Sequence, residues 1–272
     1  MIVLMQQYRE SIERFIRDPR TIFDWFYWLV RRIRVIALQD AFRDADGTLK
    51  ALATLTEMRG EKKLTDTPLS DFIGGSATES DTKELGELFT KNGSDKATKH
   101  DYYALYAFLL RGKRNDSLNI FEIGLGTNNT DVPSNMGRDG KPGASLRGFR
   151  DWAPKAEVYG ADVDKRVLFS EERIHTFFID QTDTNSLSDF ARTYASYEFD
   201  LIIDDGLHNP WANINTLNAV LPLLKPGAFF VIEDIVERYI PTWNIVATLL
   251  PTEYSYEFIK CRTEWVFLVK RG

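Results

Sequence analysis

Two apolar runs in the second half of the chain end abruptly in pairs of acidic residues. Residues 201–203 are followed by two aspartates, and a histidine stands three positions after the second of them. Residues 228–232 are followed by a glutamate and an aspartate. Crowded carboxylates repel one another, so they usually share a proton or hold a cation, and hard oxygen ligands favour Mg²⁺, Ca²⁺ or Mn²⁺. The residues concerned are Asp204, Asp205, His208, Glu233 and Asp234.

The apolar runs predict the strands that would bring these side chains together. A short, continuous apolar run is typical of a strand buried inside a parallel sheet, and ligands bind beyond the carboxyl ends of such strands. If the two strands are neighbours, the carboxylates and the imidazole meet at one edge; otherwise they are ordinary acidic caps on a surface loop. From residue 118 strands and helices alternate, and the chain closes with an antiparallel hairpin. The predicted strands are 118–123, 158–162, 174–179, 201–203 and 228–232, and the hairpin strands are 254–260 and 264–270.

The first predicted strand ends in a glycine-containing turn. Gly124 and Gly126 allow the backbone to approach a ligand closely, and they leave the start of the next helix open to polar groups. Asp162 ends the second strand, where an acidic residue commonly binds ribose hydroxyls in dinucleotide-type folds. Residues 128–142 form an unusually long turn. We interpret this turn as a flap beside the ligand, because long irregular loops are usually functional or mobile.

Composition limits the class of protein. With 272 residues, 43% of them hydrophobic, the chain can bury a full core. The formal net charge of −6 argues against a general nucleic-acid-binding protein. The single cysteine, Cys261, excludes an internal disulfide framework and suits a reducing compartment, and the charged N-terminal turns do not resemble a secretory signal. Since no apolar run is long enough to span a membrane, we expect a cytoplasmic protein.

Residues 1–82 predict a helical N-terminal extension and linker, ahead of a catalytic domain at 83–272. Apolar residues recur at helical spacing between Ile22 and Ile36, with additional aromatic residues and three arginines nearby. Two interpretations stay open for this helix. It packs on the catalytic domain or on another subunit, or it lies on a membrane surface as a basic aromatic helix. Residues 60–82 are polar and contain a proline and paired glycines, which favours a linker or a loose lid.

The strand pattern and six short blocks resemble a known group of enzymes. Five strand signals, a glycine turn after the first, an acid after the second and a terminal hairpin look like a class I S-adenosylmethionine (SAM)-dependent methyltransferase over residues 84–272. The blocks narrow the resemblance to the metal-dependent sugar O-methyltransferases of antibiotic biosynthesis, of the macrocin O-methyltransferase type. This implies a Rossmann-like α/β fold with a seven-stranded, mostly parallel sheet that ends in an antiparallel hairpin. The blocks are 93–96 (GSDK), 122–124 (EIG), 143–147 (GASLR), 180–183 (DQTD), 203–208 (IDDGLH) and 231–234 (VIED).

The resemblance also implies roles for individual residues. Glu122, Gly124 and the Gly143–Ser145 turn would hold the methionine part of SAM, Asp162 its ribose, and Asp180 with Gln181 its adenine. His208 would be the general base, and Lys96 with His100 would sit near the mouth of the active site. Cofactor binding is thereby assigned to Lys96, Glu122, Gly124, Gly126, Gly143, Ala144, Ser145, Asp162, Asp180, Gln181 and Asp204, and Mg²⁺ binding to Asp205, Glu233 and Asp234.

The residues themselves agree with methyl transfer to an oxygen atom. A sulfonium is already a good leaving group, whereas a sugar hydroxyl is a weak nucleophile that must lose its proton as it attacks. A divalent cation lowers the pKa of a hydroxyl bound to it, and a nearby neutral histidine is a suitable proton acceptor. We therefore predict a Mg²⁺-dependent O-methyltransferase acting on a sugar or glycoside, either a natural product or a surface glycan.

Two other functions stay open on the sequence. A nucleotide-dependent oxidoreductase would share the fold, but the first turn lacks a full Gly-x-Gly-x-x-Gly and hydride transfer has no need of paired acids. A non-catalytic methyltransferase-fold subunit would have no need to keep buried charge. As partners we expect a small sugar or glycoside acceptor and no nucleic acid, and we expect a homo-oligomer with the N-terminal helices as a candidate interface.

Overall fold

The computed structural model describes residues 66–75 and 79–272, together with residues 45, 47–52 and 54. The chain divides into two compact units, Met1–Leu55 and Thr56–Gly272. In the first unit, residues 47–52 are helical, and those whose side chains are described are exposed. The predicted helical stripe between Ile22 and Ile36 lies outside the described residues. The N-terminal extension and its two interpretations therefore stay predictions.

The second unit is built on one mixed sheet. Its nine strands in the described residues are β1 (Asp66–Pro68), β2 (Asn119–Ile123), β3 (Glu157–Asp162), β4 (Ser170–Glu171), β5 (Ile174–Phe178), β6 (Phe199–Asp204), β7 (Leu224–Ile235), β8 (Tyr254–Lys260) and β9 (Trp265–Arg271). Their order across the sheet is β1-β8-β9-β7-β6-β2-β3-β5-β4. The five central strands from β7 to β5 run parallel, while β9 is antiparallel to both of its neighbours. The carboxyl ends of these five parallel strands therefore lie along one edge.

Helices cover both faces of this sheet. The α-helices of the second unit's described residues are α1 (Leu69–Ile73), α2 (Ser80–Asn92), α3 (Tyr102–Leu109), α4 (Ala144–Trp152), α5 (Thr184–Thr193), α6 (Pro210–Val220) and α7 (Ile240–Leu249). Short 3-10 turns occupy Lys165–Val167, Leu221–Leu223 and Glu237–Tyr239. In the described ranges, no helix combines the length and apolar character that crossing a bilayer requires.

The strands are buried because their side chains alternate between two apolar cores. In β6, Leu201 and Ile203 join the core shared with α1–α4, whereas Ile202 joins the core shared with α5–α7. Trp152 anchors the first core and Trp243 the second, and both side chains are fully buried. A strand covered on both faces carries apolar residues at successive positions, which is the pattern that predicted β6 and β7.

The structure confirms the predicted fold class and corrects its strand count. Seven strands match the prediction, including the closing hairpin, whose second strand is displaced by one residue. The two additional strands, β1 and β4, are three and two residues long and lie at the sheet edges. Strand β1 and helix α1 lie in the segment that we interpreted as a linker or loose lid. Leu69 and Ile73 of that helix are buried in the first core and Phe72 packs against it, because these are apolar residues of a largely polar segment.

Candidate functional site

A cavity of about 260 Å³ lies at the carboxyl edge of the sheet. Gly124 and Asp162, from the ends of β2 and β3, line it, as do Asp180 and Gln181, which follow β5. Asp205, directly after β6, also lines it. Open α/β sheets bind their ligands at this edge, so the cavity is the candidate ligand site.

The turn after β2 lies directly against the turn after β6. Gly124 has φ 99°, and a Cβ atom added there would lie 2.0 Å from the backbone oxygen of Asp205. The Asp205 amide in turn donates to the Ile123 carbonyl at 2.8 Å. Only glycine fits at this position, since the obstacle is backbone rather than a movable side chain. The glycine therefore brings the β2 turn and Asp205 together at the cavity.

Backbone amides fix the carboxylate of Asp162 at the cavity. Its Oδ2 accepts from the Leu125 amide at 2.9 Å, and its Oδ1 accepts from the Asp164 amide at 2.8 Å. Burial raises the pKa of Asp162, and these backbone hydrogen bonds act in the opposite direction. The carboxylate is thus oriented by the chain itself, without a cationic partner among these contacts.

The long loop 128–142 lies beside the cavity, as predicted. Val132, Pro133 and Ser134 contribute to the cavity lining. The Ser134 hydroxyl donates to the Leu207 carbonyl at 3.2 Å, so the loop reaches the turn that follows β6. The flap therefore forms one wall of the cavity and contacts the turn after β6.

A cluster around Asp164 anchors the first part of this flap. The Arg166 guanidinium donates to Asp164 Oδ1 at 2.7 Å and to Asp131 Oδ1, on the flap, at 3.0 Å. Thr127 and Asn129 donate to Asp164 Oδ2 at 2.6 and 2.7 Å. Arg166, followed by these hydrogen bonds, holds the pKa of Asp164 well below its usual range despite burial. Asp164 is therefore ionised at neutral pH and ties the flap to the segment after β3.

Three side chains next to the cavity form a candidate cation group. Asp205, His208 and Asp234 each offer one ligand atom, and these atoms all lie within 4.8 Å of one another. His208 Nε2 lies 3.8 Å from Asp205 Oδ1 and 3.9 Å from Asp234 Oδ2. Two carboxylate oxygens and one imidazole nitrogen are a donor set that suits a divalent cation such as Mg²⁺ or Mn²⁺.

Behind this group, a buried ammonium joins carboxylates from three strands. Lys96 is 2% exposed, and its Nζ lies 2.6 Å from Asp205 Oδ2 and 3.2 Å from Glu122 Oε1. It also donates to Glu233 Oε2, on β7. The Gly93 turn at the end of α2, with φ 89°, starts the loop that carries Lys96. A buried ammonium needs such partners, because an unpaired charge inside a protein is very costly.

Two tyrosines on one face of α3 complete this network. Tyr106 donates to Glu233 Oε1, and Tyr102 donates to Asp234 Oδ1 at 2.6 Å. His100 stacks on Tyr102, with ring centroids 4.7 Å apart, and its Nδ1 lies 2.6 Å from the Thr263 hydroxyl oxygen. Residues four apart on a helix share a face, so α3 presents both hydroxyls to the acidic pair near the end of β7.

Burial and neighbouring charges shift the pKa values of the residues in this network in opposite directions. Burial alone would lower the pKa of Lys96, but Asp205, Glu233 and Glu122 raise it well above its usual value. Burial and the neighbouring carboxylates raise the pKa of Glu233, while Lys96 acts against that rise. Burial would also raise the pKa of Asp234, but His208 and the Tyr102 hydrogen bond lower it. Lys96 and Asp234 are therefore charged at neutral pH.

Two of these residues hold unusual backbone conformations. His208 has φ 53° and Asp234 has φ 55°, in the left-handed region that non-glycine residues seldom adopt. Each conformation costs of order 1–3 kcal/mol, and such positions cluster at functional sites. The strain is consistent with these two side chains being held in place for binding or chemistry.

The structure divides the predicted site residues into two sets. Gly124, Gly126, Asp162, Asp180, Gln181 and Asp205 line the cavity. Lys96 and His100 are buried, although the resemblance placed them near the mouth. Asp204 is also fully buried and accepts a hydrogen bond from Gln181 at 2.8 Å, behind the cavity wall. Glu122 is buried and accepts from the Ser145 hydroxyl at 2.5 Å, at the start of α4, where Gly143 and Ala144 also lie.

Sequence reasoning missed Tyr102 and Tyr106. Their spacing of four residues in a helical segment was the available signal, but it equally suits core packing. It also missed Asp164 and Arg166, because nothing in the sequence marks a pair that anchors a flap. The metal assignment to Asp205, Glu233 and Asp234 stays a prediction. The structure brings the first and third together with His208 and pairs Glu233 with Lys96 and Tyr106.

The strand order and the cavity at the carboxyl edge define a Rossmann-like, class I methyltransferase fold. A crystal structure of MycE methyltransferase from the mycinamycin biosynthetic pathway, in complex with Mg and SAH (S-adenosylhomocysteine), is similar, with a TM-score of 0.56 and 25% sequence identity. The match covers 70% of this chain and 55% of that chain. No protein-family model matches the sequence.

The chain is also similar in sequence to curated sugar O-methyltransferases. It is 31% identical to 8-demethyl-8-alpha-L-rhamnosyl tetracenomycin-C 2'-O-methyltransferase of Streptomyces olivaceus, over 65% of this chain and 44% of the relative. It is 33% identical to mycinamicin VI 2''-O-methyltransferase of Micromonospora griseorubida, over 58% of this chain and 37% of the relative. The matches thus span less than half of these relatives. They confirm the resemblance to sugar O-methyltransferases.

Proposed function

We propose that this chain is a Mg²⁺-dependent O-methyltransferase that moves the methyl group of SAM to a hydroxyl of a sugar or glycoside. The observation that carries the proposal is the position of Asp205, which both lines the cavity and belongs to the cation group. A cofactor in the cavity and an acceptor oxygen at the cation group would therefore meet at one carboxylate. The names of the sugar O-methyltransferase relatives and the Mg and SAH of the MycE complex support this assignment.

The cavity has the features that SAM requires. Gly124 and Gly126 line the cavity, and the carboxylate of Asp162 is already oriented by two amides. Asp162 would hold the ribose hydroxyls and Asp180 the adenine side. When bound, SAM supplies an activated methyl group. The role of the chain is to orient the cofactor and, through the flap, to limit access of water.

The cation group fits a divalent ion by its chemistry. Asp205 and Asp234 would hold Mg²⁺ by their carboxylates, with Glu233 as the third predicted ligand. When bound, the cation makes an attached hydroxyl more acidic. The chain fixes the carboxylates beforehand, since Tyr102 orients Asp234 and Lys96 orients Asp205 and Glu233.

His208 is the proposed general base of the transfer. Its Nε2 is beyond hydrogen-bond distance of both carboxylates, at 3.8 and 3.9 Å, so it is available to accept the acceptor proton. Asp205 and Asp234 would then stabilise the imidazolium that forms. A general base and a metal ligand are different roles for His208, and the substitution His208→Asn distinguishes them.

His208→Asn is the test of this role, because asparagine tolerates the left-handed backbone of residue 208. We expect turnover to fall by roughly 10²–10⁴, with Mg²⁺ and SAH affinities within about twofold of wild type, measured by isothermal titration calorimetry. Loss of Mg²⁺ binding would instead identify His208 as a ligand. Unchanged turnover would reject both roles.

Binding and turnover together test the function as a whole. We expect wild type to bind SAH, to bind Mg²⁺, and to transfer radiolabelled methyl groups from SAM to glycosides with vicinal hydroxyls. EDTA is expected to stop the transfer and to leave SAH binding intact. Binding of NADH but not of SAH would contradict the proposal and favour an oxidoreductase. The cytoplasmic location, the homo-oligomer and the membrane contact of the N-terminal helix remain predictions.

A further inference from the structure

A cation of the chain's own already lies among the acidic side chains at the cation group. The Lys96 ammonium contacts carboxylates at the ends of β2, β6 and β7, and its side chain is 3% exposed. Nothing in methyl transfer itself requires a buried ammonium at this place. Lys96 does not line the cavity, so its position calls for a different explanation.

The two oxygens of Asp205 face in different directions. Oδ2 accepts from Lys96 at 2.6 Å, whereas Oδ1 lies on the side of His208, at 3.8 Å from Nε2. Asp234 is similarly divided, with Oδ1 bound to the Tyr102 hydroxyl and Oδ2 on the side of His208. The inner oxygens are thus bound by the chain, and the outer ones lie on the side of His208, the third member of the candidate cation group. A divalent ion and the ammonium would share Asp205 rather than compete for one atom.

We propose that Lys96 is a resident cation, meaning an ammonium that keeps the acidic side chains in place when the divalent ion is absent. It is a positioning residue, and the inference rests on the divalent-cation site proposed above. Four carboxylates, Glu122, Asp205, Glu233 and Asp234, converge here, and without a cation they would repel one another. The same positive charge weakens the site's attraction for a divalent ion. The protein thereby stays folded without the ion and can exchange it.

Lys96→Met tests this role, since methionine fills a similar volume without the charge. Lys99→Met is the matched control, because Lys99 is exposed on the same loop. Thermal unfolding is measured in EDTA and in excess MgCl₂. In EDTA we expect the midpoint of Lys96→Met to fall by roughly 10 °C, because unpaired carboxylates are left buried. MgCl₂ should restore most of that loss, while wild type and Lys99→Met should change little.

Calorimetric titration with MnCl₂, without cofactor, gives a second measurement. We expect Lys96→Met to bind Mn²⁺ roughly tenfold more tightly than wild type, because one positive charge near the ion is gone. Lys96→Arg keeps the charge and should resemble wild type in its response to EDTA. If Lys96 had a purely structural role, Lys96→Met would be destabilised equally in EDTA and in MgCl₂.

Each outcome decides the inference. Equal unfolding midpoints in EDTA and MgCl₂ for Lys96→Met would overturn it, as would unchanged or weaker Mn²⁺ binding. Failure of Lys96→Met to fold even when it is expressed and purified in excess MgCl₂ would also overturn it, because the ion is expected to supply the positive charge that the variant lacks. SAH titration of wild type is done in parallel. If wild type does not bind SAH, the methyltransferase function is rejected. The role of Lys96 is then decided by the unfolding midpoints and the Mn²⁺ titration alone.

Discussion

The cavity around Gly124 and the charged network around Lys96 share one edge of the sheet, but different forces hold them. At the cavity, the shape comes from backbone: a glycine with φ 99° and amides that bind the carboxylate of Asp162. In the network, Lys96 from the loop after α2 neutralises acidic residues at the strand ends, and a tyrosine hydroxyl from α3 donates a hydrogen bond to one of them. The first region depends on steric fit and the second on charge balance.

This difference predicts how each region responds to change. A region shaped by backbone is insensitive to ions and pH, but it tolerates no added atoms. A region of compensated charges tolerates small changes of volume, but it responds strongly to the loss of one charge. Substitutions that add an atom and substitutions that remove a charge should therefore affect different ligands.

Gly124→Ala should have the largest effect and should act on the cavity. The new Cβ would lie 2.0 Å from the Asp205 carbonyl oxygen, so the β2 and β6 turns must separate. We expect a loss of about 3–5 kcal/mol in the free energy of unfolding and a loss of SAH binding, measured by denaturant unfolding and calorimetry. Gly137→Ala is the matched control, since it has φ 71° and no atom within 4 Å. It should cost only about 1–2 kcal/mol. Equal costs for the two variants would refute the steric explanation.

Asp234→Asn should have the next largest effect and should act on the charged region alone. Asparagine keeps the volume, and it also tolerates the left-handed backbone that residue 234 adopts. Calorimetry is expected to show Mg²⁺ affinity reduced by roughly 10–100-fold, with SAH affinity within about twofold of wild type. Asp189→Asn, on the exposed pair with Arg192, controls for the loss of one negative charge. A parallel loss of SAH affinity would show that the two regions are not separable.

Asp164→Asn should have the smallest effect, on the flap. The variant weakens the hydrogen bonds of Arg166 to this residue, and we expect SAH affinity to fall about five- to tenfold at pH 7. Because the pKa of Asp164 is lowered in the folded protein, its stabilising effect is present above its unfolded pKa and is lost as pH falls. The stability difference between wild type and variant should thus shrink below about pH 4. A difference that is constant from pH 7 to pH 3, measured by urea unfolding, would contradict this.

Most of the fold was predictable because its strands are buried on both faces. Such strands leave continuous apolar runs, and the runs of β6 and β7 end at the acidic residues that mark the site. The edge strands were not predictable, since β4 has two residues and β1 contains a proline. Strands this short bury too little to leave a pattern, and their pairing depends on neighbours far away in sequence.

The site was predictable where function follows the order of the strands. Gly124, Asp162 and Asp205 lie at strand ends or directly after them, and the sheet brings such positions together. The partners of the acidic residues were harder to predict, because Lys96 reaches Glu233 across 137 positions of sequence. Tyr102 and Tyr106 look like ordinary core aromatics, since most of each ring is apolar and only the hydroxyl shows the role. Contacts made by the ends of long side chains leave no periodic signal.

The two short edge strands have a consequence for assembly. A sheet edge offers free amides and carbonyls to which another chain can add a strand. Here one edge ends in β1, three residues long and closed by Pro68, which has no amide hydrogen, and the other ends in the two residues of β4. In the part of the chain that the structure describes, neither of these two edge strands offers a long ladder to a second copy. Pairing of either short strand with a second copy would form few hydrogen bonds, so β1 and β4 are poor starting points for growth into aggregates.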